Sequence, residues 1–346
     1  MKSKVKRFIQ QSFFRLGFFP PEAIIEPDTL IEKFKGQSLA VQEYHLKISA
    51  ERILRFNAIT YYSKLLKNLV PNLDLPIKKS VFTSQPANGI GESSLVTFRR
   101  VNVGEGLLFE KVYLNSYPDL QNVTFFNDKI FHLLEGCIVV PKIVKQYTSD
   151  LITITYFEFL QLLNFNSERR AISKLIELSV LLYCKSIENK DYLVSLLKSS
   201  EIDNYKNHFE YSKHYKSAHL ALAENGFNTY ELVEKINRSP IIITHGDLNK
   251  TNIYAPNIVI DWDTFGLYPL GFDIAFLYHR LLLPNDSGAD FLQWLHDNYA
   301  EIIGKKDWKI LVFNCSYFLY VFSFGYFQNL ERALLERLLT EKLQDL

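Results

Sequence analysis

The chain has 346 residues, of which 47% are hydrophobic and 22% are charged. This composition is typical of globular proteins and excludes disordered, collagen-like and low-complexity chains. Lysine and arginine total 39 against 38 aspartates and glutamates, so the overall charge gives no indication of a nucleic-acid partner. The three cysteines lie far apart, which argues against a disulfide framework and favours a reducing cytoplasm.

The first 75 residues are predicted to form a mostly helical extension. Residues 43–68 repeat apolar side chains at helical spacing, and Pro71 ends this segment. Residues 1–20 join a basic start to an apolar helical face, a pattern that suits an anionic membrane surface. Packing of this arm on the rest of the protein is the favoured alternative. Polar residues interrupt the apolar run, so a secretory signal is not expected, and the predicted location is cytoplasmic, with peripheral contact to the inner membrane face left open.

The next part of the chain is rich in β-branched and aromatic residues, which favour strands. The predicted elements are, in order, strands over 80–84, 95–103 and 107–114, a helix over 122–135, and strands over 138–144 and 151–157. Gly104-Glu105-Gly106 separates the second and third strands and predicts a hairpin turn.

Helices dominate from Ser167 onward, beginning with a predicted helix over 168–186 that Ser167 caps. Strands return at 241–244 and 258–261, which we expect to flank one polar loop as a hairpin. Residues 310–329 carry no charge, but their polar side chains favour a buried helix over a membrane span. The predicted fold is therefore α+β, with an extension (1–75), a β-rich lobe (76–158) and a helical lobe (159–346).

The polar residues around the last two predicted strands suggest chemistry. One apolar strand runs into His245-Gly246-Asp247, Asn252 follows five residues later, and the second strand ends in Asp261. Carboxylate and carboxamide oxygens are the ligands that Mg²⁺ prefers. A further carboxylate can orient a hydroxyl nucleophile, so these residues together are the groups that phosphoryl transfer needs.

Three linked motifs carry a family resemblance. Residues 245–252 (HGDLNKTN) resemble the H-G-D-x-x-x-x-N loop of the aminoglycoside phosphotransferase and choline kinase-like families, which are small-molecule relatives of protein kinases. Residues 260–263 (IDWD) and 271–275 (GFDIA) are similar to the following motifs of those families. The resemblance covers residues 80–346 and implies a bilobal protein kinase-like fold. It also implies Mg²⁺-dependent transfer of the γ-phosphoryl group of ATP or GTP to a small-molecule hydroxyl.

The resemblance implies a role for each matched residue. Asp247 would position and deprotonate the acceptor hydroxyl, while Asn252 and Asp261 would hold Mg²⁺ on the nucleotide phosphates. His245 would brace the loop, and Asp273 would anchor its backbone. The alternative for Asp247 and Asp261, a solvated turn and a helix cap, does not explain three motifs at family-like spacing.

The resemblance also assigns nucleotide contacts to the first lobe. Lys111, on the third predicted strand, would be the phosphate-binding lysine; an exposed lysine at a strand edge is the alternative. Its acidic partner would be Asp128, with Glu135 as the other candidate on the same helix. The backbone of Glu158 and Phe159 would contact the purine edge.

A glycine-containing segment between the first two strands would contact the phosphates. Gly89 and Gly91 allow close backbone approach and Ser93 can donate a hydrogen bond, although an ordinary hairpin loop has the same composition. Lys250 stands where relatives often carry proline, and either contacts the transferred phosphoryl group or an anionic acceptor or faces solvent.

The acceptor is not specified by any motif. Residues 201–224 mix both charge signs and include His208, His214 and His219, which fits a neutral or anionic sugar or a lipid-linked glycan at least as well as a polycation; an amino alcohol also remains a candidate. The segment after Asp261 is too short for an activation loop. The alternatives are a pseudokinase-like nucleotide-binding or scaffold protein without turnover, and nucleotidyl transfer with pyrophosphate release.

Overall fold

The computed structural model describes residues 77–81, 95–103, 106–115, 119–148, 152–199, 213–281, 288–325 and 328–342. The predictions for residues 1–75, and those for Gly89, Gly91 and Ser93, lie outside these residues. The chain divides into two compact units, one containing 1–120 and 141–161 and the other 121–140 and 162–346.

The first unit contains a five-stranded antiparallel sheet. Its strands are β1 (Ile77–Val81), β2 (Leu95–Val103), β3 (Gly106–Leu114), β4 (Ile143–Thr148) and β5 (Ile152–Glu158). Their order across the sheet is β1-β2-β3-β5-β4, so β3 lies in the middle. Val103 pairs with Gly106, which confirms that β2 and β3 form a hairpin.

A helical segment follows the third strand, and from Gln121 onward it belongs to the second unit. It consists of α1 (Asp119–Phe125), a π-helical turn (Phe126–Ile130) and α2 (Phe131–Leu134). The ring of Phe126, in the π-helical turn, stacks on Trp262 with 3.9 Å between ring centroids. Residues 121–140, which the sequence assigned to the β-rich lobe (76–158), group with the second unit, and this ring contact lies within that unit.

The rest of the second unit is mainly helical. Its long elements are α3 (Glu168–Glu188), α4 (Lys190–Ser199), α5 (Lys213–Glu224), α6 (Thr229–Asn237), α7 (Phe272–Leu281), α8 (Gly288–Tyr299), α9 (Lys305–Ser323) and α10 (Gln328–Lys342). Ser167 caps α3, as expected, because its side chain accepts a hydrogen bond from the backbone N–H of Arg170. The helices of the second unit and the antiparallel sheet of the first together confirm the predicted α+β class.

Most of the uncharged segment 310–329 is a buried helix, as expected, although α9 ends at Ser323 and residues 328–329 begin α10. Residues 311–321 of α9 are all buried, and Phe318 packs edge-on against Phe272 of α7, with 5.2 Å between ring centroids. Among the residues that the structure describes, no helix is both long enough and apolar enough to span a membrane.

Three strand predictions were wrong in detail. The strand expected at 80–84 is β1, at Ile77–Val81, and residues 82–84 lie outside the described part of the chain. The strand expected at 138–144 begins at Ile143, because Pro141 interrupts the run and the backbone of Val139 pairs with Asn257 and Val259 instead. The strands around the polar loop do not form one hairpin. β6 (Ile241–Thr244) pairs with β9 (Gly266–Pro269), and β7 (Ile253–Tyr254) pairs with β8 (Ile258–Val259), giving two small antiparallel sheets.

Candidate active site

The loop after β6 begins with a turn that requires glycine. Gly246 has a φ of +82°, in the left-handed region. A Cβ atom at this position would lie 2.0 Å from the carbonyl oxygen of Thr264. Any side chain here would therefore clash with the backbone. The close packing of Gly246 against Thr264 fixes the course of the loop at Asp247, the next residue.

The carboxylate of Asp273 holds this turn from α7. Its Oδ2 accepts the backbone N–H of His245 at 2.6 Å, and its Oδ1 accepts that of Gly246 at 3.0 Å. Burial raises the pKa of Asp273 to about 6, while the two backbone hydrogen bonds act in the opposite direction. The anchoring role expected for Asp273 is therefore seen directly in its contacts.

His245 is buried and braces the loop with its ring. The backbone N–H of Asp247 points to Nδ1 at 3.3 Å, and Nε2 lies 2.9 Å from the carbonyl oxygen of Ile260. Because Nδ1 accepts a hydrogen bond, the proton is assigned to Nε2, which donates to Ile260. The imidazole ring thus ties the loop to the residue that precedes Asp261.

Asn252 joins the two ends of the loop. Its Nδ2 donates to the backbone oxygen of Asp247 at 2.9 Å and to the Asp247 side-chain Oδ2 at 3.1 Å. Since the amide nitrogen is used in this way, the amide oxygen Oδ1 points to another side, where it lies 3.4 Å from the Thr251 hydroxyl. The structure therefore brings Asp247 and Asn252 together, as the sequence predicts.

Asp261 is placed beside Asn252 by the β7–β8 pairing. Ile253 pairs with Val259, and the backbone N–H of Ile260 donates to the oxygen of Asn252 at 2.9 Å. Asp261 follows directly, exposed and with a left-handed φ of +67°. It is the one non-glycine residue with positive φ among the described residues, and such conformations concentrate at functional sites.

The donor atoms at this end of the loop fit Mg²⁺. Asn252 and Asp261 offer an amide oxygen and a carboxylate, both hard oxygen ligands. Within the described ranges, no cluster of three or more His, Cys, Asp or Glu side chains could form a metal cage of its own. Mg²⁺ commonly takes one or two protein ligands and completes its shell with phosphate oxygens and water.

Lys250 forms an ion pair with Glu168, the first residue of α3. Its Nζ lies 2.5 Å from Oε1 of Glu168, and both side chains are exposed. The hydrogen bond from Lys250 holds the pKa of Glu168 below its usual value. The structure thus gives Lys250 a partner that sequence reasoning missed, because Glu168 is 82 residues away in the chain.

Lys111 is buried on the central strand of the first unit, which removes the alternative of an exposed edge lysine. Its Nζ lies 5.9 Å from the ring centroid of Phe157. The backbone N–H of Glu158 donates to the backbone oxygen of Lys142 at 2.9 Å, so this N–H is not available to a purine. The predicted backbone contact with the purine edge is therefore restricted to other groups near Phe159. Asp128 lies exposed in the π-helical turn, and its pairing with Lys111 stays a prediction.

The histidines of the region 201–224 do not form a cluster among the described side chains. His219 lies between α5 and α9, where its Nε2 is 2.8 Å from the hydroxyl of Tyr317. Burial lowers the pKa of His219 to about 4. His219 is therefore a neutral packing residue, while His208 and the side chain of His214 lie outside the described part of the chain.

No protein-family model and no curated protein matches the chain. Among similar solved structures is the GDP and kanamycin complex of APH(2")-IIia, at 14% identity and a TM-score of 0.46 over 83% of this chain and 99% of that one. Choline kinase LicA from Streptococcus pneumoniae has 14% identity and a TM-score of 0.43, covering 81% of this chain and 99% of its own. Macrolide 2'-phosphotransferase MphH from Brachybacterium faecium has 13% identity and a TM-score of 0.44, covering 81% and 94%. At these values the functional argument rests on the residues described above.

Arg280 is a site residue that sequence reasoning missed. Its Nη2 lies 3.8 Å from Oδ1 of Asp247. The signal was present in the spacing, because Arg280 follows Asp273 by seven residues and two helical turns return to the same face. The loop thus presents a partly exposed carboxylate. Its Oδ2 is bonded to Asn252 and its Oδ1 lies near a guanidinium, an arrangement that can accept a proton from a bound hydroxyl.

Proposed function

We propose that the protein is a Mg²⁺-dependent phosphotransferase that moves the γ-phosphoryl group of ATP or GTP to a hydroxyl of a small molecule. The observation that carries this proposal is the hydrogen bond from Asn252 to Oδ2 of Asp247. It places a candidate base next to a candidate metal ligand, on a loop whose backbone is anchored by Asp273. A sugar, a glycan and an amino alcohol are the acceptor classes that the sequence left open.

Asp247 acts on the acceptor hydroxyl in this proposal. Oδ1 takes the proton, because Oδ2 already accepts a hydrogen bond from Asn252. The acceptor oxygen then forms a bond to the γ-phosphorus while the bond from that phosphorus to the β–γ bridging oxygen breaks. The nucleoside diphosphate leaves with the electron pair of that bond, and Asp247 later returns its proton to solvent.

Asn252 and Asp261 would hold the Mg²⁺ ion. When bound, the ion neutralises negative charge on the nucleotide phosphates. The protein's own contribution is orientation: the His245 ring, bonded to Ile260, keeps the residue before Asp261 fixed against the loop that carries Asp247. Assignment of Lys111, Gly89, Gly91 and Ser93 to the nucleotide phosphates remains a prediction from the sequence.

Thermal unfolding tests the nucleotide site. We expect MgATP or MgGTP, but not Mg²⁺ alone, to raise the melting temperature, since a ligand at 100 times its Kd stabilises by about 2.7 kcal/mol. The shift should disappear in Asp261→Ala and persist in Asp297→Asn, a control on the exposed face of α8. If neither nucleotide shifts the wild type, the phosphotransferase proposal gives way to the scaffold alternative.

Turnover separates the roles of the two aspartates. Asp247→Asn should lower kcat by about 100-fold to 10,000-fold, the range of general base catalysis, and should leave nucleotide affinity largely intact. Asp261→Asn should weaken Mg²⁺-nucleotide binding itself. Release of pyrophosphate instead of ADP or GDP would point to nucleotidyl transfer, and equal small losses in both variants would contradict these roles.

Membrane contact is proposed only for residues 1–20. Their basic start and apolar face should support binding to vesicles that contain anionic lipids. Sedimentation with such vesicles should be lost on deletion of residues 1–20, and a full chain that never sediments with them would disprove the contact.

A further inference from the structure

Arg280 lies at the candidate base, in the last turn of α7. Its Nη2 is 3.8 Å from Oδ1 of Asp247, the oxygen proposed to take the acceptor's proton. About half of the Arg280 side chain and one third of the Asp247 side chain are exposed to solvent. A small molecule that reaches Asp247 from solvent therefore meets this guanidinium as well.

Aromatic rings hold the guanidinium in place. It lies over the ring of Phe276, one helical turn earlier, at 4.8 Å from the ring centroid. Phe276 in turn packs edge-on against Phe322 of α9, at 5.4 Å. Arg280 is thus better oriented than an arginine whose side chain extends freely into water, so its binding geometry costs less ordering of the side chain.

The donors of Arg280 are not used by hydrogen bonds to the described residues. Its distance to Asp247 exceeds hydrogen-bonding length. Arg280 therefore has an ion pair with Asp247 but no hydrogen bond to it, whereas Lys250, on the same loop, is hydrogen-bonded to Glu168 at 2.5 Å. A guanidinium has five N–H donors in a planar fork that matches the paired oxygens of a phosphate or carboxylate.

We propose that Arg280 determines the charge class of the acceptor by binding an oxyanion beside the hydroxyl that Asp247 deprotonates. This inference rests on the proposed phosphotransferase function and narrows its acceptor to an anionic hydroxy compound. The hydroxyl must come within about 3 Å of Asp247, and the anion within about 2.8 Å of the guanidinium. Both groups then lie only a few bonds apart, as in a small hydroxy acid or a sugar phosphate. An amino alcohol would instead bring its cation close to Arg280 and be repelled.

Four compounds on one carbon skeleton test the charge class in binding. Glycerol, glycerol 3-phosphate, glycerate and 3-amino-1,2-propanediol differ mainly in charge, and titration calorimetry or ligand-detected NMR on the full chain measures their affinities. We expect at least one anionic member to bind about tenfold or more tightly than glycerol and the amine, with the two anions distinguishing phosphate from carboxylate. Arg280→Gln should remove this preference, Arg280→Lys should restore part of it, and Arg332→Gln, an exposed arginine of α10, should keep it.

The same four compounds as acceptors test the role in turnover. We expect Arg280→Gln to raise KM for the anionic acceptor about tenfold or more, with a smaller effect on kcat. Equal loss of kcat with every acceptor would overturn the proposal, because Arg280 would then act on Asp247 or on the transferred group. So would equal binding of all four compounds to the wild type. If the anions bind through Arg280 but no nucleotide shifts the melting temperature, the phosphotransferase function fails and the anion site stands.

Discussion

At the scale of single residues, the candidate loop depends on two positions that do no chemistry. Gly246 permits the left-handed turn and the approach to Thr264, and Asp273 binds two consecutive backbone N–H groups. Both residues act before any substrate arrives, because they fix where Asp247 points. Substitutions at these two positions should therefore change stability as well as turnover.

Gly246→Ala should destabilise the protein strongly. The new Cβ would lie 2.0 Å from a backbone oxygen, and backbone atoms move only at a cost, so we expect a loss of about 2–4 kcal/mol in the free energy of unfolding. Gly226→Ala is the matched control, since Gly226 has almost the same φ of +81° and a Cβ atom added there would have nothing within 4 Å. Urea denaturation should show a loss of only about 1–2 kcal/mol for the control; equal losses would mean that the contact with Thr264 is unimportant.

The Asp273 carboxyl should give stability an unusual pH dependence. Its folded-state pKa is raised to about 6 from 3.8, so between these values the native chain holds a proton that the unfolded chain has released. The contribution of Asp273 to the free energy of unfolding is therefore fully present below pH 4 and falls as the pH rises to 6. Asp273→Asn lacks this titration, so the stability difference between wild type and variant should shrink from pH 4 to pH 6 by an amount on the order of 3 kcal/mol. A constant difference across that range would contradict the raised pKa.

The sequence predicted the motif residues but not their through-space partners. Asp247, Asn252 and Asp261 were predicted from a loop whose chain order resembles a known pattern, and the structure brings Asp247 and Asn252 into contact. Glu168 and Arg280 were missed, because ion pairs between distant segments leave no periodicity in the chain. The seven-residue spacing from Asp273 to Arg280 places both residues on one face of α7. This spacing indicates that Arg280 lies near Asp247 only once the structure shows that this face of α7 contacts the loop.

At the scale of elements, the packing of α5 against α9 depends on a neutral histidine. His219 contacts the ring of Tyr215 at 3.9 Å between centroids and is hydrogen-bonded to Tyr317. Burial makes its protonation unfavourable in the folded state. The interface between these helices is therefore sensitive to acid.

His219 should make the protein less stable as the pH falls. Its folded-state pKa of about 4 lies below the ordinary value of 6.5, so its contribution is present above pH 6.5 and is lost progressively between 6.5 and 4. This slope is opposite in sign to that of Asp273. Comparing wild type with His219→Gln by urea denaturation at several pH values should show a difference that grows with pH; a difference that shrinks would disprove the lowered pKa.

The stack of Phe126 on Trp262 should join the helical segment 119–134 to the residues after Asp261. Trp262 is 2% exposed, and removing a buried tryptophan side chain costs about 3–5 kcal/mol. A double-mutant cycle with Phe126→Leu and Trp262→Leu should give a coupling of about 0.5–1.5 kcal/mol, the usual value for an aromatic pair. Additive losses would show that the two rings stabilise the fold independently of each other.

Most elements could be predicted from periodicity, and the pairing of the shortest strands could not. β2 and α3 begin where the patterns place them. The hairpin expected between 241–244 and 258–261 was wrong because each run is equally apolar and finds another partner, in β9 and β7. Two-residue strands such as β7 carry no periodic signal, so only the folded chain reveals their register.

At the scale of the whole molecule, two compact units should unfold as separable steps. The three tryptophans all lie within 162–346, in the second unit, so tryptophan fluorescence reports on that unit while far-UV circular dichroism reports on both. We expect urea transitions from the two signals not to coincide, which is the standard evidence against a single step. Gly246→Ala should shift the fluorescence transition to lower urea; coincident curves in the wild type would show instead that the units unfold together.

The path of the chain between the units limits how the protein could be divided. Residues 121–140 pack with the second unit but are preceded and followed in the chain by parts of the first. A fragment that begins at Leu162 would contain Trp262 but would lack Phe126, whose ring stacks on Trp262. No single cut in the chain separates the two units. A gene fusion or recombination event that transfers the Asp247 loop together with Phe126 must therefore also transfer strands β4 and β5 of the sheet.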